Sequence, residues 1–181
     1  MNMRKEIRLS GSGGQGLILA GIILAEGAIL SNLNSVQTQS YGPEARGGAS
    51  KAEVIISDGD INFPKVRKAD ILLCLTQKSF NEYINTVKED GIIIVDSTVE
   101  INNLEKRKME IFNIPIIESS KNKLGKVMVS NIVALGVISE LLEGIDKQML
   151  KKAILARVPK GTENLNERAF ELGCSLIAYA N

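Results

Sequence analysis

Short apolar bursts alternate along the chain with longer segments whose apolar residues recur at helical spacing. Glu6-Ile7-Arg8-Leu9-Ser10 alternates polar and apolar positions, which predicts a strand. Leu17 to Leu30 is apolar nearly all round and predicts a buried helix, ended by the turn chemistry of Ser31-Asn32-Leu33-Asn34. Val36 to Gln39 reads as a second strand, rich in β-branched residues. Ser50 to Ser57 reads as a third, with Ala52, Val54 and Ile56 on one face. Between them, Ser40 to Gly48 holds three Gly and a Pro and predicts a loop. Asp58-Gly59-Asp60 reads as a hairpin turn.

Ile71 to Leu75 and Gly91 to Val95 are apolar runs suited to strands buried on both faces. Gln77 to Lys88 has helical spacing through Phe80, Ile84 and Val87. Lys108 to Ile114 predicts another strand, closed by Pro115. Val127 to Leu142 predicts a long apolar helix. Asp146 to Val158 predicts an amphipathic one, capped by Asp146 and stopped by Pro159. Thr162 to Ala180 predicts the last helix. Strands alternating with helices give an α/β, Rossmann-like fold. Its sheet is mainly parallel with helices on both faces, and additional C-terminal helices cover an end or edge.

Length and composition narrow the chemistry. At 181 residues the chain makes one domain, 1–181, able to bury a core without disulfides or metals. A net charge of +1 points to neither nucleic acid nor an anionic membrane as partner. The chain has no His, which excludes a Ser-His or Cys-His pair, a His base and a His-ligated metal within it. Its two Cys, Cys74 and Cys174, lie a hundred residues apart, so no cysteine set exists for zinc or an iron–sulfur centre. Each sits in an apolar run and reads as a small buried hydrophobe. The mixed charges of Met1 to Ser10 do not look like a secretory signal, and the longest apolar run, Leu17 to Ala25, is too short to span a bilayer. A cytoplasmic location is expected.

Gly11-Ser12-Gly13-Gly14-Gln15-Gly16 follows a predicted strand and opens a predicted helix. Glycines there let the backbone turn tightly and approach a ligand, while free N–H groups at the helix start attract a phosphate. The same sequence also serves as a close-packed turn that binds nothing, and the motif alone does not choose. A nicotinamide or flavin site would carry an acid at the end of the second strand, but Gln37-Thr38-Gln39-Ser40 stands there. No Lys-Ser or Lys-Thr follows the glycines, which excludes a nucleoside-triphosphatase loop.

The second loop, Tyr41-Gly42-Pro43-Glu44-Ala45-Arg46-Gly47-Gly48, is stiff at Pro43 and presents Glu44 and Arg46. Arg46 can fork onto a phosphate or carboxylate, or be a solvated loop charge like Glu44. Taken together, the glycine motif and Gln37 to Gly48 resemble the gamma subunit of the 2-oxoacid:ferredoxin oxidoreductases, and Ala49 to Ser57 and Ala69-Asp70-Ile71-Leu72 continue the match. The form is more similar to the 2-oxoglutarate branch than to the pyruvate branch.

This resemblance implies a subunit, inactive alone, of an enzyme that oxidatively decarboxylates a 2-oxoacid, joins the acyl group to coenzyme A and reduces ferredoxin. It implies alpha, beta and delta-type partner subunits that hold thiamine diphosphate and the iron–sulfur clusters. It leaves this chain with no catalytic residue, no metal, no tightly bound cofactor and a share in the coenzyme A site. The implied site residues are Gly11, Ser12, Gly13, Gly14, Gln15, Gly16, Ser40, Tyr41, Glu44 and Arg46. An assembly subunit whose loops are interface, a relative specific for pyruvate, branched-chain acids or indolepyruvate, and a homodimer in isolation are the alternatives.

Four further features have bland and functional readings. Lys121, Asn122, Lys123 and Lys126 around Gly125 form a basic turn, solvated or in contact with an anion or subunit. Asn131, amid Val129, Ile132 and Val133, needs a partner, and the facing loop is the place to look. Asp96-Ser97-Thr98 ends a strand at the sheet edge where open α/β folds bind ligands, or caps a turn. Lys65, Arg67 and Lys68 read as surface.

Overall fold

A computed structural model describes residues 3–40, 49–101 and 108–178. Six strands form one sheet: β1 Arg4–Gly11, β2 Asn34–Ser40, β3 Ser50–Ser57, β4 Ala69–Cys74, β5 Val87–Asp96 and β6 Glu110–Ile114. The helices are α1 Leu17–Leu30, α2 Gln77–Tyr83, α3 Ile116–Leu124, α4 Ser130–Leu141, α5 Lys147–Arg157 and α6 Glu163–Ala178, with 3-10 turns at Ile84–Thr86 and Val127–Val129.

The strand order is β2-β3-β1-β4-β5-β6. β1, β4, β5 and β6 pair in parallel, as expected of a mainly parallel sheet. β3 runs against both its neighbours, so the sheet is mixed. The path explains this. After α1, β2 is laid one place out from β1, and β3 then returns into the gap. The chain next crosses to the other side of β1 to lay β4, β5 and β6. The strand order therefore reverses at β1, the place where open α/β sheets form a ligand crevice at their carboxyl ends.

One face of the sheet carries the larger core. Ile7, Leu9, Val54, Leu73 and Ile94 there share one cluster with α1, α4, α5 and α6. The C-terminal helices thus thicken one face instead of covering an end. On the opposite face, among the described residues, α2 and the 3-10 turn after it pack Phe80, Tyr83 and Ile84 on Leu72, Cys74, Ile93 and Val95. Arg8 is buried on this face, with Nη2 2.6 Å from Glu53 Oε1. It also donates to Thr86 Oγ1 and to Val66 O.

Several elements depart from the sequence reading. Asp58-Gly59-Asp60 is no hairpin turn, because β4 pairs with β1 and not with β3. Residues 61–68 instead carry the chain back, with Ile61 and Val66 packed on Ile55 and Ala69. The helix expected to Lys88 stops at Tyr83, and Val87 already pairs with Ala69 in the sheet. The Thr86 hydroxyl donates to Tyr83 O at 2.6 Å and closes the turn between them.

α3 was not expected. Its Ser119 and Ser120 are weak helix formers, both buried, and its start is capped from outside: Ile117 N–H donates to Asp96 Oδ2 at 2.9 Å. Lys121 and Lys123 therefore stand on its last turn, where cations oppose the helix dipole, and Gly125 ends it in the left-handed conformation.

Candidate functional site

β1 ends at Gly11, opposite Ser50 of β3, while Leu75 N–H donates to Ser10 O on the β4 side. The chain leaves the sheet at Ser12, at the reversal of strand order. The Gln15 side chain folds back over the turn, its Oε1 accepting from Ser12 N–H at 2.7 Å. A Cβ at Gly11 would stand 2.2 Å from that oxygen, so a side chain at Gly11 and this closure are incompatible. Gly14 and Gly16 take φ of 81° and 70°, where other residues are strained. Gly16 is the N-cap of α1 and offers no side-chain acceptor, and the first turn holds no acid. The first-turn N–H groups of this 14-residue helix therefore open unpaired by any cap toward the crevice, with the positive end of the dipole behind them.

The loop is clamped from the far end of the sequence. Asn131, 4% exposed at the start of α4, donates through Nδ2 to Gly16 O at 3.2 Å. A Cβ at Gly16 would lie 2.6 Å from that nitrogen, so the side-chain amide takes the room a side chain would need. The partner that the sequence demanded for Asn131 is thus in the glycine loop.

Cavities flank the loop. One of about 260 Å³ lies between Ser12, Gly13, Ile18 and Ser50. Another, about 440 Å³, lies on the other side, between Gly16, Leu19, the start of α4 and the α5–α6 turn. Its walls are largely apolar. Lys126 and Met128 line it too, and Met128 is 87% exposed beside the half-exposed Val127.

The expected site residues fall into three sets. Gly11, Ser12, Gly13, Gly14, Gln15 and Gly16 form one contiguous surface, with Ser12, Gly13 and Gly14 exposed. Gln15 holds the loop's shape, and its Oε1 is not free for a ligand. Ser40 is exposed at the end of β2, opposite Lys51, and so stands at the same sheet edge as Gly11 and Ser50. Tyr41, Glu44 and Arg46 lie outside the described residues. Asp96 is fully buried and takes the capping role: Oδ1 accepts from Thr98 N–H and Oγ1, and Oδ2 from Ile117 N–H. Cys74 is buried as expected, and burial pushes its thiol up to about 11. Cys174 is half-buried on α6, near Ser139 Oγ at 3.4 Å, and burial raises it too.

Sequence reasoning missed Met128, Thr162 and Asn166, which line the larger cavity. A signal existed for Asn166. It falls in phase with Ala169, Phe170 and Gly173 on the buried stripe of α6, where an amide needs a purpose.

The chain is similar to known proteins over most of its length. Residues 6–176 match the family described as pyruvate ferredoxin/flavodoxin oxidoreductase. The 2-oxoglutarate synthase subunit KorC of Methanocaldococcus jannaschii is 49% identical over 96% of this chain and 94% of its own length. The keto/oxoacid ferredoxin oxidoreductase gamma subunit of Geobacter sulfurreducens superposes with a TM-score of 0.88 at 45% identity, covering 98% of both chains. A 2-oxoglutarate:ferredoxin oxidoreductase of Magnetococcus marinus, solved with 2-oxoglutarate, coenzyme A and succinyl-CoA, shares the fold alone. Its TM-score is 0.87 at 20% identity, over 98% of this chain and 32% of that one.

Proposed function

The chain belongs to the pyruvate ferredoxin/flavodoxin oxidoreductase family, and from that premise we propose that it is the gamma subunit of a 2-oxoglutarate:ferredoxin oxidoreductase, contributing to the coenzyme A site and to assembly. The observation that carries the site is the uncapped start of α1 behind a glycine turn, at the reversal of strand order. Backbone N–H groups so placed are donors for phosphate oxygens. The exposed Ser12 and Ser40 stand at the same edge to add hydroxyl donors. Arg46, six residues after Ser40 in the sequence, supplies a guanidinium of the kind that pairs with a phosphate through two parallel bonds.

The redox cofactors belong to partner subunits of the alpha, beta and delta types. The residues here do not fit them: Cys74 packs in the core of one face of the sheet and Cys174 against the core of the other, so the two thiols do not converge on a cluster. Asp58 and Asp60 lie past the end of β3 that pairs with Arg4, at the edge opposite the glycine loop. Ferredoxin is met through the complex, in the cytoplasm. No helix among the described residues is long and apolar enough to cross a membrane.

The test is Arg46→Ala in the purified enzyme, assayed anaerobically with a low-potential dye. The KM for coenzyme A is expected to rise about tenfold, the worth of a bond to a charged group, with the KM for 2-oxoglutarate unchanged. An unchanged KM for coenzyme A removes Arg46 from the site. Turnover with pyruvate or a branched 2-oxoacid in preference to 2-oxoglutarate would reassign the substrate.

A further inference from the structure

The sheet has two edges, and they are built differently. β6 is five residues long, begins at the exposed Glu110 and runs directly into Pro115. A short strand, an edge charge and a proline are devices that keep an edge from pairing with another chain. β2 has none of them. It is seven residues long, and its register on β3 runs without a bulge from Asn34 to Ser40. No residue from Gly27 to Ser40 is charged. Among the described residues β3 is its one neighbour in the sheet, so the backbone donors and acceptors along its outer side are open.

α1 continues the same side of the molecule upward. It lies over both outer strands: a Cβ at Gly21 would meet Ala52 of β3 at 2.9 Å and Gln37 of β2 at 3.6 Å. Ile18, Ile22, Ala25 and Ile29 recur at helical spacing and form one stripe of α1. Half a turn round the helix, a Cβ at Gly27 would meet Leu150 of α5 at 2.8 Å, so the stripe faces away from α5. Ile29 is 58% exposed, and Ile18 and Ile22 are partly exposed. Ile29 shares a cavity of about 480 Å³ with Leu33 and Val36, which sets the end of the stripe beside the β2 edge.

An apolar helix stripe above an unguarded strand edge fits a partner that carries a strand and a helix at the same two heights. We propose that a second copy of this chain supplies both. β2 pairs antiparallel with β2 of the copy about a two-fold axis at Gln37, and the two α1 stripes pack together above the seam. Seven residues centred on Gln37 pair completely with themselves. Val36 stands opposite Thr38 on one face and Ser35 opposite Gln39 on the other, and no like charges meet. A two-fold axis normal to the sheet keeps both helices on one face. α1, astride β2 and β3, lies about half a strand spacing inside β2, so the two α1 axes stand two spacings apart, about 10 Å. Packed helices lie about 8–10 Å apart, so the stripes meet without either sheet bending. The shared face is about 24 Å long and about 20 Å deep, burying about 1,000 Å² in total, where specific interfaces begin. The proposal is independent of the coenzyme A reading.

The test is light scattering on the full chain expressed alone, run through size exclusion at high micromolar concentration. A mass twice the chain's 19.6 kDa is expected. Ile29→Lys puts a cation on the exposed last turn of α1, where the helix dipole favours it, and is expected to halve the mass. Gln37→Lys and Gln37→Glu each set like charges against each other on the axis and are expected to run as monomers. Their equimolar mixture is expected to restore the doubled mass, a readout that misfolding would not give. A mixture that stays monomeric overturns the pairing at Gln37. A dimer that persists in all three variants places the contact elsewhere and overturns the proposal. A parent chain that is monomeric at that concentration, or soluble only with partner subunits bound, overturns it in favour of a strand from another subunit.

Discussion

Gly136→Ala tests whether the site's scaffold depends on backbone contact between α4 and α6. In a helix open to solvent this change stabilises by about 1 kcal/mol. Here the new Cβ would stand 2.2 Å from Phe170 O and 2.8 Å from Gly173 Cα. Both are backbone atoms and have no rotamer to change. Ordinary contact begins at 3.4 Å, so the two helices must part by roughly 1 Å along that line. A gap of that size forfeits about a quarter to a half of each dispersion contact across the seam. Overpacking of this kind costs about 3 kcal/mol at the upper end of its usual range, leaving about 2 kcal/mol net after the helix-propensity gain. With a urea slope of about 2 kcal/mol/M, the unfolding midpoint drops by about 1 M. Far-UV circular dichroism against urea measures it. A midpoint equal to or above the parent's, at unchanged slope, would refute the backbone-contact argument.

Three further predictions concern single groups. Burial holds the Cys74 thiol near 11 when folded, against 9.0 when free, so the folded chain keeps a proton that the unfolded chain loses. Stability is full below pH 9 and falls by about 2–3 kcal/mol between pH 9 and 11, and urea titrations across that window should show this slope lost in Cys74→Ala. Arg8→Met leaves Glu53 with Lys51, at 3.2 Å, as its one remaining ion-pair partner among the described residues and should cost about 3 kcal/mol, of which adding Glu53→Leu restores at least half; no recovery in the double variant would contradict the desolvation argument. Asp96→Ala orphans Ile117 N–H and should cost about 2 kcal/mol by thermal unfolding, where a cost under about 0.5 would mean that α3 needs no external cap.

The elements most legible in the sequence were those written locally. α1 and β3 begin and end where apolar runs and turn residues set them, at Leu17–Leu30 and Ser50–Ser57. α3 was hidden because its cap comes from Asp96 on another strand and its buried face is partly serine. The direction of β3 was hidden for a similar reason, since alternation along a strand says which face is buried but not which neighbour runs alongside. At the site, the glycine motif and a polar partner for Asn131 were both readable. The larger cavity was not. Its walls come from residues 14–19, 126–132 and 158–166, and no local pattern reports that these three segments meet.

The clamp of Asn131 on Gly16 also has a bearing on synthesis. The glycine turn leaves the ribosome well before the side chain that occupies the space over Gly16, which is made 115 residues later. α4, which carries that side chain, is seated in turn against α6, which is made later still. A nascent or truncated chain therefore holds every residue of the glycine turn without the surface that fixes its shape. The turn takes its final shape only once α4 and α6 are in place, so a partner that recognises the finished loop meets it only in chains that extend at least through α6.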